Sequence, residues 1–228
     1  MVWPVMGSAA GPRIQGHDSL SVKVDAGNII SSTGSGASVK DLITNSTQTV
    51  TTVTYATTGK LNYFVFAGSG DITGSNNVSI SGANSRTISC WVYFTSKTTQ
   101  SIMCIGVNGA GTGWGIETSS TVFTLSKGNS GTTTAITYNT GQWYNIVYTG
   151  QNLTANSLTI KLYVNGSLQY TGTDTSINTT NSTLKLGTNN AGTLFFNGRI
   201  SSASVYKKVL SDSEIKKNYN SMKSKFGL

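Results

Sequence analysis

The sequence predicts an all-β protein, a sandwich of two antiparallel sheets that ends in a short amphipathic helix. Three observations support this prediction. Short runs with alternating apolar and polar residues recur along the chain, and turn residues separate them at close intervals. Charged residues make up only 11% of the 228-residue chain, which disfavours long helices. Glycine is abundant, with 26 residues, as a protein of many tight turns requires.

The clearest pair of strands lies in residues 158–172 and is joined at Asn165-Gly166. This dipeptide readily supplies the two positive-φ positions of a type I′ hairpin turn. One face of the hairpin is apolar, and the other is aromatic and cationic. A loop one residue longer than two would shift the cross-strand partners. With a two-residue loop, the partners are Tyr163 with Leu168 and Lys161 with Tyr170.

The same alternation predicts further strands along most of the chain. Their spacing is typical of a sandwich and not of βαβ units. The segments are 20–28, 47–58, 61–67, 86–94, 101–107, 114–117, 121–126, 132–138, 142–149, 184–187 and 194–205.

A helix is predicted over residues 212–225. Ser211 and Glu214 form a capping box, in which each side chain satisfies a backbone N–H group at the helix start. Gly227 ends the run. The apolar residues share one helical face. They are Ile215, Tyr219, Met222 and Phe226.

Residues 1–17 lack strand periodicity, so the predicted domain spans 18–228. Two interpretations of the first segment remain open: a frayed or locally packed terminus, or an arm that anchors the protein to a neighbouring subunit. The lysines of the C-terminal helix also allow two interpretations, a solvated face or a docking surface for an acidic neighbour. The candidate interface residues are Val2, Trp3, Val5, Met6, Arg13, Lys216, Lys217 and Lys223.

The formal net charge is +8, from 16 basic and 8 acidic residues. The basic residues are scattered and lack the aromatic-plus-arginine pattern of nucleic-acid binding, so an acidic protein surface or an anionic glycan is favoured as partner.

Cys90 and Cys104 lie in apolar runs and are expected to be buried thiols. A cross-strand disulfide between them requires that the intervening turn has the parity that places both side chains on the same face. No secretion signal and no membrane span are predicted.

The order and spacing of several motifs carry a family resemblance over nearly everything after Leu20. The sequence resembles a laminin-G-like domain of the concanavalin A-like lectin and glucanase superfamily, and is most similar to versions in phage and other viral structural proteins. The motifs are VDAGN, FVFAGSGD, TISCWV, WYNIVYT, LTIKLYVNG, LKLG, FNGRI and the C-terminal VYKKVLSDSEIKKNYNSMKSKFG. The resemblance implies a jelly-roll sandwich whose first and last strands are close. The usual acidic position after FxG is Arg199 here, and the preceding loop TNNAG has no carboxylate.

Glucanases of this superfamily need two carboxylates at the scissile bond, commonly on an E-x-D-x-E strand, and the sequence has no such strand. The only histidine, His17, lies in the N-terminal segment, so no Ser-His-Asp relay is expected. The protein is therefore predicted not to be an enzyme. No cofactor or metal is predicted either. Asp71 could provide one calcium ligand, but no second acid lies near it in sequence.

Two functions follow as hypotheses. The leading one is a non-enzymatic virion structural protein that decorates or cements a capsid. It would be present in many copies or as a homo-oligomer, and would reach the virion surface after assembly in the host cytoplasm. The alternative is a carbohydrate-binding tail or fibre module that recognises host glycans. Its candidate ligand-binding residues, if their strands share the non-core face, are Trp91, Tyr93, Trp114, Tyr163 and Tyr170.

Overall fold

Two antiparallel sheets face each other across one apolar core in the computed structural model, which describes residues 15–228. The predicted all-β sandwich with a C-terminal helix is confirmed. Most of the predicted N-terminal arm falls outside this range, and its anchoring role stays a prediction. The candidate arm residues outside the described range are Val2, Trp3, Val5, Met6 and Arg13.

A 3-10 turn, His17–Ser19, precedes the strands of the described chain. The predicted segment 47–58 divides into two strands at Thr52, whose φ is +53°. In chain order the strands are β1 (Leu20–Asp25), β2 (Ser38–Lys40), β3 (Thr47–Thr51), β4 (Thr54–Thr58), β5 (Leu61–Ala67), β6 (Asp71–Asn77), β7 (Arg86–Phe94), β8 (Gln100–Gly106), β9 (Gly113–Thr118), β10 (Val122–Ser126), β11 (Gly131–Thr137), β12 (Trp143–Thr154), β13 (Ser157–Val164), β14 (Ser167–Thr175), β15 (Thr183–Leu186) and β16 (Asn197–Tyr206).

The strand order places the beginning and the end of the domain side by side. Sheet A has the order β14-β13-β12-β7-β16-β5-β4, and β1 pairs with the second half of β16. Sheet B has the order β11-β10-β9-β8-β15-β6-β3-β2. The contact between β1 and β16 confirms the expectation that the first and last strands are close.

The core lies between the sheets and follows the predicted alternation. On β7, the side chains of Ile88, Cys90, Val92 and Phe94 are all at most 1% exposed. Phe94 meets Phe123 of sheet B with ring centroids 6.0 Å apart. Each such side chain contributes about 1.5–3 kcal/mol through burial, so the alternating residues fix which face of each strand points inward.

Both cysteines are free thiols, as expected. Cys90 lies in the core on β7, whereas Cys104 lies on β8 of the other sheet, and neither side chain is more than 1% exposed. Burial raises the pKa of both thiols, that of Cys104 to about 12. A buried thiol that stays protonated is a poor nucleophile, so both residues act as small core side chains.

The predicted two-residue hairpin turn between β13 and β14 is confirmed. Val164 pairs with Ser167, and the two residues between them, Asn165 and Gly166, have φ angles of +51° and +71°. Positive φ at both positions is the requirement of a type I′ turn.

One predicted cross-strand pair in this hairpin is wrong. Tyr163 pairs with Leu168 as expected, but Tyr170 pairs with Leu162 and not with Lys161. A β-bulge on β14 inserts an extra residue between Leu168 and Tyr170, and this insertion reverses the face of every residue that follows. Tyr170 therefore packs, half-buried, against the main core.

The C-terminal helix, α1 (Asp212–Met222), continues into a 3-10 turn, Lys223–Phe226. The predicted capping box is present: the Glu214 backbone N–H donates to Ser211 Oγ, and the Ser211 N–H donates to Glu214 Oε2 at 2.8 Å. Gly227 ends the turn with φ +74°. No helix of residues 15–228 has the length and hydropathy to cross a membrane.

The helix packs on the outer face of sheet A, away from the main core. Ile215 joins a small apolar cluster with Leu20, Val147 and Tyr163. A second cluster forms where Phe226 meets aromatic side chains of β5, β7 and β12. One outer face of the sandwich is thus partly covered by the chain's own C-terminus.

Candidate functional site

The five aromatic residues predicted to bind a ligand do not form one surface. Trp91, Tyr93 and Tyr163 lie on the outer face of sheet A, but Trp91 is only 5% exposed and Tyr163 only 2%. Phe226 covers Trp91, with ring centroids 3.8 Å apart. The hydroxyl of Tyr163 donates to Asp212 Oδ1 of the helix at 2.6 Å. Of these three, Tyr93 alone keeps a half-exposed ring.

The other two predicted aromatics point toward the core. Trp114 has no exposed surface and stacks on Tyr148 with ring centroids 3.9 Å apart. The guanidinium of Arg86 lies 5.5 Å from the same indole ring. Tyr170 faces the core because of the bulge. The expectation that Trp114 and Tyr170 share the non-core face with the others is therefore wrong.

A polar cleft of about 530 Å³ lies instead on the outer face of sheet B. Strands β9, β10 and β11 form its base, and the loop between β15 and β16 forms one wall. Its lining residues are polar or small except for one leucine. They are Asn108, Glu117, Thr124, Gly128, Asn129, Ser130, Gly131, Thr133, Asn189, Ala191, Thr193 and Leu194.

Two glycines on β9 allow neighbouring segments to pack directly on the strand that carries Glu117 of the cleft. On β9, the outward positions are Gly113, Gly115 and Glu117. A Cβ atom at Gly115 would lie 2.7 Å from the Cβ of Cys104, and one at Gly113 would lie 2.5 Å from Asn190 Oδ1. Both distances are shorter than Cβ contacts allow, so glycine is needed for the loop and the neighbouring strand to approach this closely.

The wall of the cleft is held in place by amide side chains. Asn190 donates from Nδ2 to the carbonyl of Gly106 at 2.8 Å, and its own carbonyl accepts from Lys185 Nζ at 3.3 Å. Asn189 Oδ1 accepts from the backbone N–H of Thr193 at 2.9 Å. These bonds tie the loop to β8 and β15 and to its own backbone. The wall therefore has a defined position before any ligand binds.

Several polar groups of the cleft are available to a ligand. Asn108 and Asn129 are exposed, and neither amide side chain has a hydrogen-bond partner within residues 15–228. Thr124 and Thr133 add hydroxyls on adjacent strands. Glu117 is the single carboxylate of the lining, and burial raises its pKa. The cleft thus offers amide donors and acceptors, hydroxyls and one carboxylate.

The described residues contain no group of three or more His, Cys, Asp and Glu side chains that could hold a metal ion. Asp71, the calcium candidate, accepts a hydrogen bond from Thr73 Oγ1 at 2.5 Å. Calcium takes six to eight oxygen ligands, usually from several carboxylates. The geometry around Asp71 offers no such set of acids.

The family model of the concanavalin A-like lectin/glucanases superfamily, laminin G type, matches residues 66–216. The chain belongs to this superfamily. The match covers more than half of the sequence and includes the strands that form the cleft. A search of curated protein sequences finds no significant match.

Solved structures with a similar fold include parts of larger proteins. Domain 4 of the extracellular GH43 arabinanase of Geobacillus stearothermophilus, solved in complex with arabinotriose, has a TM-score of 0.65 and 19% identity over 88% of this chain and 98% of that one. The binding domain of botulinum neurotoxin DC, in complex with SialylT, has a TM-score of 0.66 and 20% identity over 90% of this chain and 52% of that one.

A Trypanosoma rangeli sialidase mutant that displays trans-sialidase activity matches with a TM-score of 0.67 and 15% identity. The alignment covers 96% of this chain but 35% of the sialidase, and the chain spans about half the length of the neurotoxin domain. At these identities the comparisons show a shared lectin-like fold, and the activities of the longer proteins are not transferred to this chain.

Sequence reasoning did not find the cleft. One usable signal was present: in Gly113-Trp114-Gly115-Ile116-Glu117, glycine and glutamate occupy one face of the strand, and the large apolar residues occupy the other. This pattern indicates a strand whose outer face neighbouring segments approach closely and which carries a single carboxylate. The contribution of the loop after β15 could not be predicted in this way, because it depends on contacts between residues far apart in sequence.

Proposed function

We propose that this protein is a non-enzymatic carbohydrate-binding domain that holds a glycan in the cleft on sheet B. The observation that carries the proposal is the cleft itself, about 530 Å³ in volume and lined by unpaired amides, hydroxyls and one carboxylate. Sugars expose closely spaced hydroxyls that both donate and accept hydrogen bonds, and amide side chains match this requirement. Membership in a lectin and glucanase superfamily supports the same class of ligand.

The composition of the cleft also supports binding without hydrolysis. Glycosidases place two carboxyl groups about 5–9.5 Å apart around the scissile bond. Glu117 is the single carboxyl group among the lining residues. The expected result is therefore glycan binding with no release of reducing sugar during a long incubation. Measurable cleavage would contradict this part of the proposal.

The experiment is a glycan array followed by calorimetry on the strongest neutral oligosaccharide. Asn108→Ala and Asn129→Ala are each expected to weaken binding at least tenfold, because each removes unpaired hydrogen-bonding groups from the cleft. Asn220→Ala, an exposed amide on the C-terminal helix, is the matched control and should leave affinity unchanged. Equal affinity of all four proteins would place the ligand elsewhere, and an array with no bound glycan would contradict carbohydrate binding.

A role as a decoration protein on a virion surface is a second proposal. It is supported by the resemblance of the sequence to viral versions of the domain and by one observation on α1. Lys216 and Lys217 are exposed and form no ion pair with the described residues, so they could meet an acidic coat subunit. Attachment to particles should then weaken as salt is raised, because exposed charge pairs are screened over about 8–10 Å. Salt-independent attachment, or none, would contradict this role.

A further inference from the structure

We propose that the outer face of sheet A carries a second binding site, specific for the carboxylate of an acidic sugar, and that Arg199 is its anion-binding group. This site lies on the opposite sheet from the cleft. This second site rests on the proposed function in one respect: the molecule that carries the carboxylate is a sugar.

Arg199 is held between two aromatic rings. Its guanidinium carbon lies 4.5 Å from the ring centroid of Tyr93 and 4.9 Å from that of Tyr63. Strand pairing explains this arrangement. Arg199 pairs directly with Tyr93 on β7 and with Val65 on β5, and Tyr63 lies two residues from Val65 on the same face. Cation–π contacts on both sides hold the side chain in place without neutralising its charge.

The charge of Arg199 has no anionic partner. All eight acidic side chains lie within the described residues, and no ion pair among those residues includes Arg199. No described residue accepts a hydrogen bond from its guanidinium, and its nitrogens are not buried. The side chain is nevertheless half-buried. A carboxylate that reaches it would thus meet five free N–H donors in an arrangement suited to a bidentate contact.

Groups suited to the rest of a sugar ring surround the cation. Trp143 pairs with Tyr93 on the side away from Arg199, so three strands present Arg199, Tyr93 and Trp143 in one row. Asn197 lies two residues from Arg199 on β16 and is exposed. Its Oδ1 accepts from Thr95 Oγ1 at 2.8 Å, which leaves the amide nitrogen free to donate to a sugar hydroxyl.

The chain's own C-terminus covers the Trp143 end of this row and leaves Tyr93 and Arg199 partly exposed. Phe226 stacks on Trp91, in the neighbouring row of sheet A, and meets Trp143 with centroids 5.1 Å apart. It makes no ring contact with Tyr93, and Tyr93 and Arg199 stay half-buried, whereas Trp143 is only 9% exposed. The aromatic cluster under Phe226 supports the row from one side.

A sugar fits this row better than an acidic peptide. An aromatic ring beside a single fixed cation suits a pyranose that carries one carboxylate. The carboxylate meets the cation, and the C–H face of the sugar packs on the aromatic side chain. An acidic peptide presents several mobile carboxylates and would be matched by several cations, whereas Arg199 is the single cation of the row.

The test measures binding of two acidic probes, trigalacturonate and sialyllactose, each against its uncharged counterpart, methyl-esterified trigalacturonate and lactose. At least one acidic probe is expected to bind, and its counterpart should bind at least tenfold more weakly. Trp143 reports binding by fluorescence, with Trp143→Phe as the reference. Failure of both acidic probes, or equal binding of the acidic and uncharged forms, would overturn the proposal.

Variants locate the site. Arg199→Gln should abolish the preference for the acidic form, and Arg199→Lys should weaken it about tenfold, because an ammonium makes no bidentate contact. Lys207→Gln removes the same charge from an exposed position elsewhere and should have no effect. Thermal unfolding of each variant confirms that it is folded.

Two further results keep this proposal separate from the cleft. Asn129→Ala should leave acidic-probe binding unchanged even where it weakens neutral-glycan binding. If Asn129→Ala removes both, the acidic sugar binds in the cleft and the second site is wrong. Hexaglutamate is the peptide probe, and binding as tight as that of the acidic sugar would overturn the assignment to a glycan.

Discussion

Phe226 lies flat on Trp91, with ring centroids 3.8 Å apart and ring planes 4° apart. Tyr219 approaches the same indole at 5.8 Å and is nearly parallel to it. Phe226 is four residues beyond Met222, the last residue of the regular helix, in the 3-10 segment that follows α1. The last residues of the chain therefore complete the aromatic cluster on the outer face of sheet A.

Phe226→Ala is expected to lower the free energy of unfolding by about 3 kcal/mol, the lower end for a buried phenylalanine, because Phe226 is 7% exposed. Urea titration followed by tryptophan fluorescence measures the change, since Trp91 and Trp143 both contact the ring. Leu228→Ala, at a residue 41% exposed, is the control and should change stability by less than about 0.5 kcal/mol. Identical urea midpoints for the two variants would show that the stacked ring does not stabilise the fold.

The alternation of residues predicted the fold class and the helix because these features depend on local pattern. Ile88, Cys90, Val92 and Phe94 all point inward as their spacing requires. The capping box at Ser211 is likewise a relation between residues three positions apart. Such patterns determine the face of a strand and the start of a helix without reference to distant parts of the chain.

The surface could not be predicted in the same way. Trp91 was correctly expected on the outer face of its strand, but the sequence does not show that Phe226, far along the chain, covers it. The β-bulge that turns Tyr170 inward also leaves no pattern in a run of polar residues. The cleft depends on contacts of Asn190 with β8, more than 80 residues away. The alternation of residues along each strand therefore identified the outer faces of the sheets, but it did not show which parts of those faces stay exposed.

The ion pair between Lys127 and Asp174 should be important for stability. Asp174 lies on β14, with its side chain 2% exposed and 2.7 Å from Lys127 Nζ. Lys127 follows β10 of the opposite sheet, so the contact joins the two layers. Lys127→Met leaves a buried carboxylate unpaired and is expected to cost about 3–5 kcal/mol.

The matched control is Lys161→Met, since Lys161 Nζ lies 3.9 Å from Asp212, whose side chain is 69% exposed. A surface pair contributes less than about 1 kcal/mol. Chemical denaturation of both variants at the same ionic strength gives the comparison. A loss for Lys127→Met no larger than that for Lys161→Met would mean that water reaches Asp174.

Glu117 makes the stability of the fold depend on pH. Burial raises its pKa from the ordinary value of 4.5, so the folded protein holds this proton more tightly than the unfolded chain. Stability from this residue is present below pH 4.5 and is lost as pH rises through the folded-state pKa. Glu117→Gln should therefore be more stable than the parent at pH 7, and this advantage should disappear near pH 4.

Glu214→Gln provides a control of opposite sign. Burial alone would raise the pKa of Glu214, but hydrogen bonds from Lys208 and Ser211 hold it below its ordinary value. This variant should be less stable than the parent at pH 7, and the difference should vanish at low pH as the carboxylate of the parent is protonated. Urea midpoints at pH 4, 5, 6 and 7 test both residues. Parallel pH profiles for the parent and Glu117→Gln would show that Glu117 is hydrated in the folded state.

The turn of the central hairpin is packed against the C-terminal helix, and Gly166 is the point of contact. A Cβ atom there would lie 2.8–2.9 Å from the ring and Cβ of Tyr219, and φ is +71°. Gly166→Ala thus combines a strained backbone with a steric clash, and is expected to cost about 2–4 kcal/mol. Gly141→Ala has a similar φ, +83°, with no neighbour within 4 Å, so backbone strain alone should cost it about 1–2 kcal/mol.

A double-mutant cycle separates the two effects. Tyr219→Ala removes the ring but also packing on Trp91, so its own cost is measured first. In its background, Gly166→Ala should cost less than in the parent, because the ring contact is gone and the contact with the Cβ at position 219 remains, with a coupling energy of about 1–2 kcal/mol from urea titration. Purely additive costs would mean that the turn and the helix move apart freely, and that the hairpin does not help to hold the C-terminal segment on sheet A.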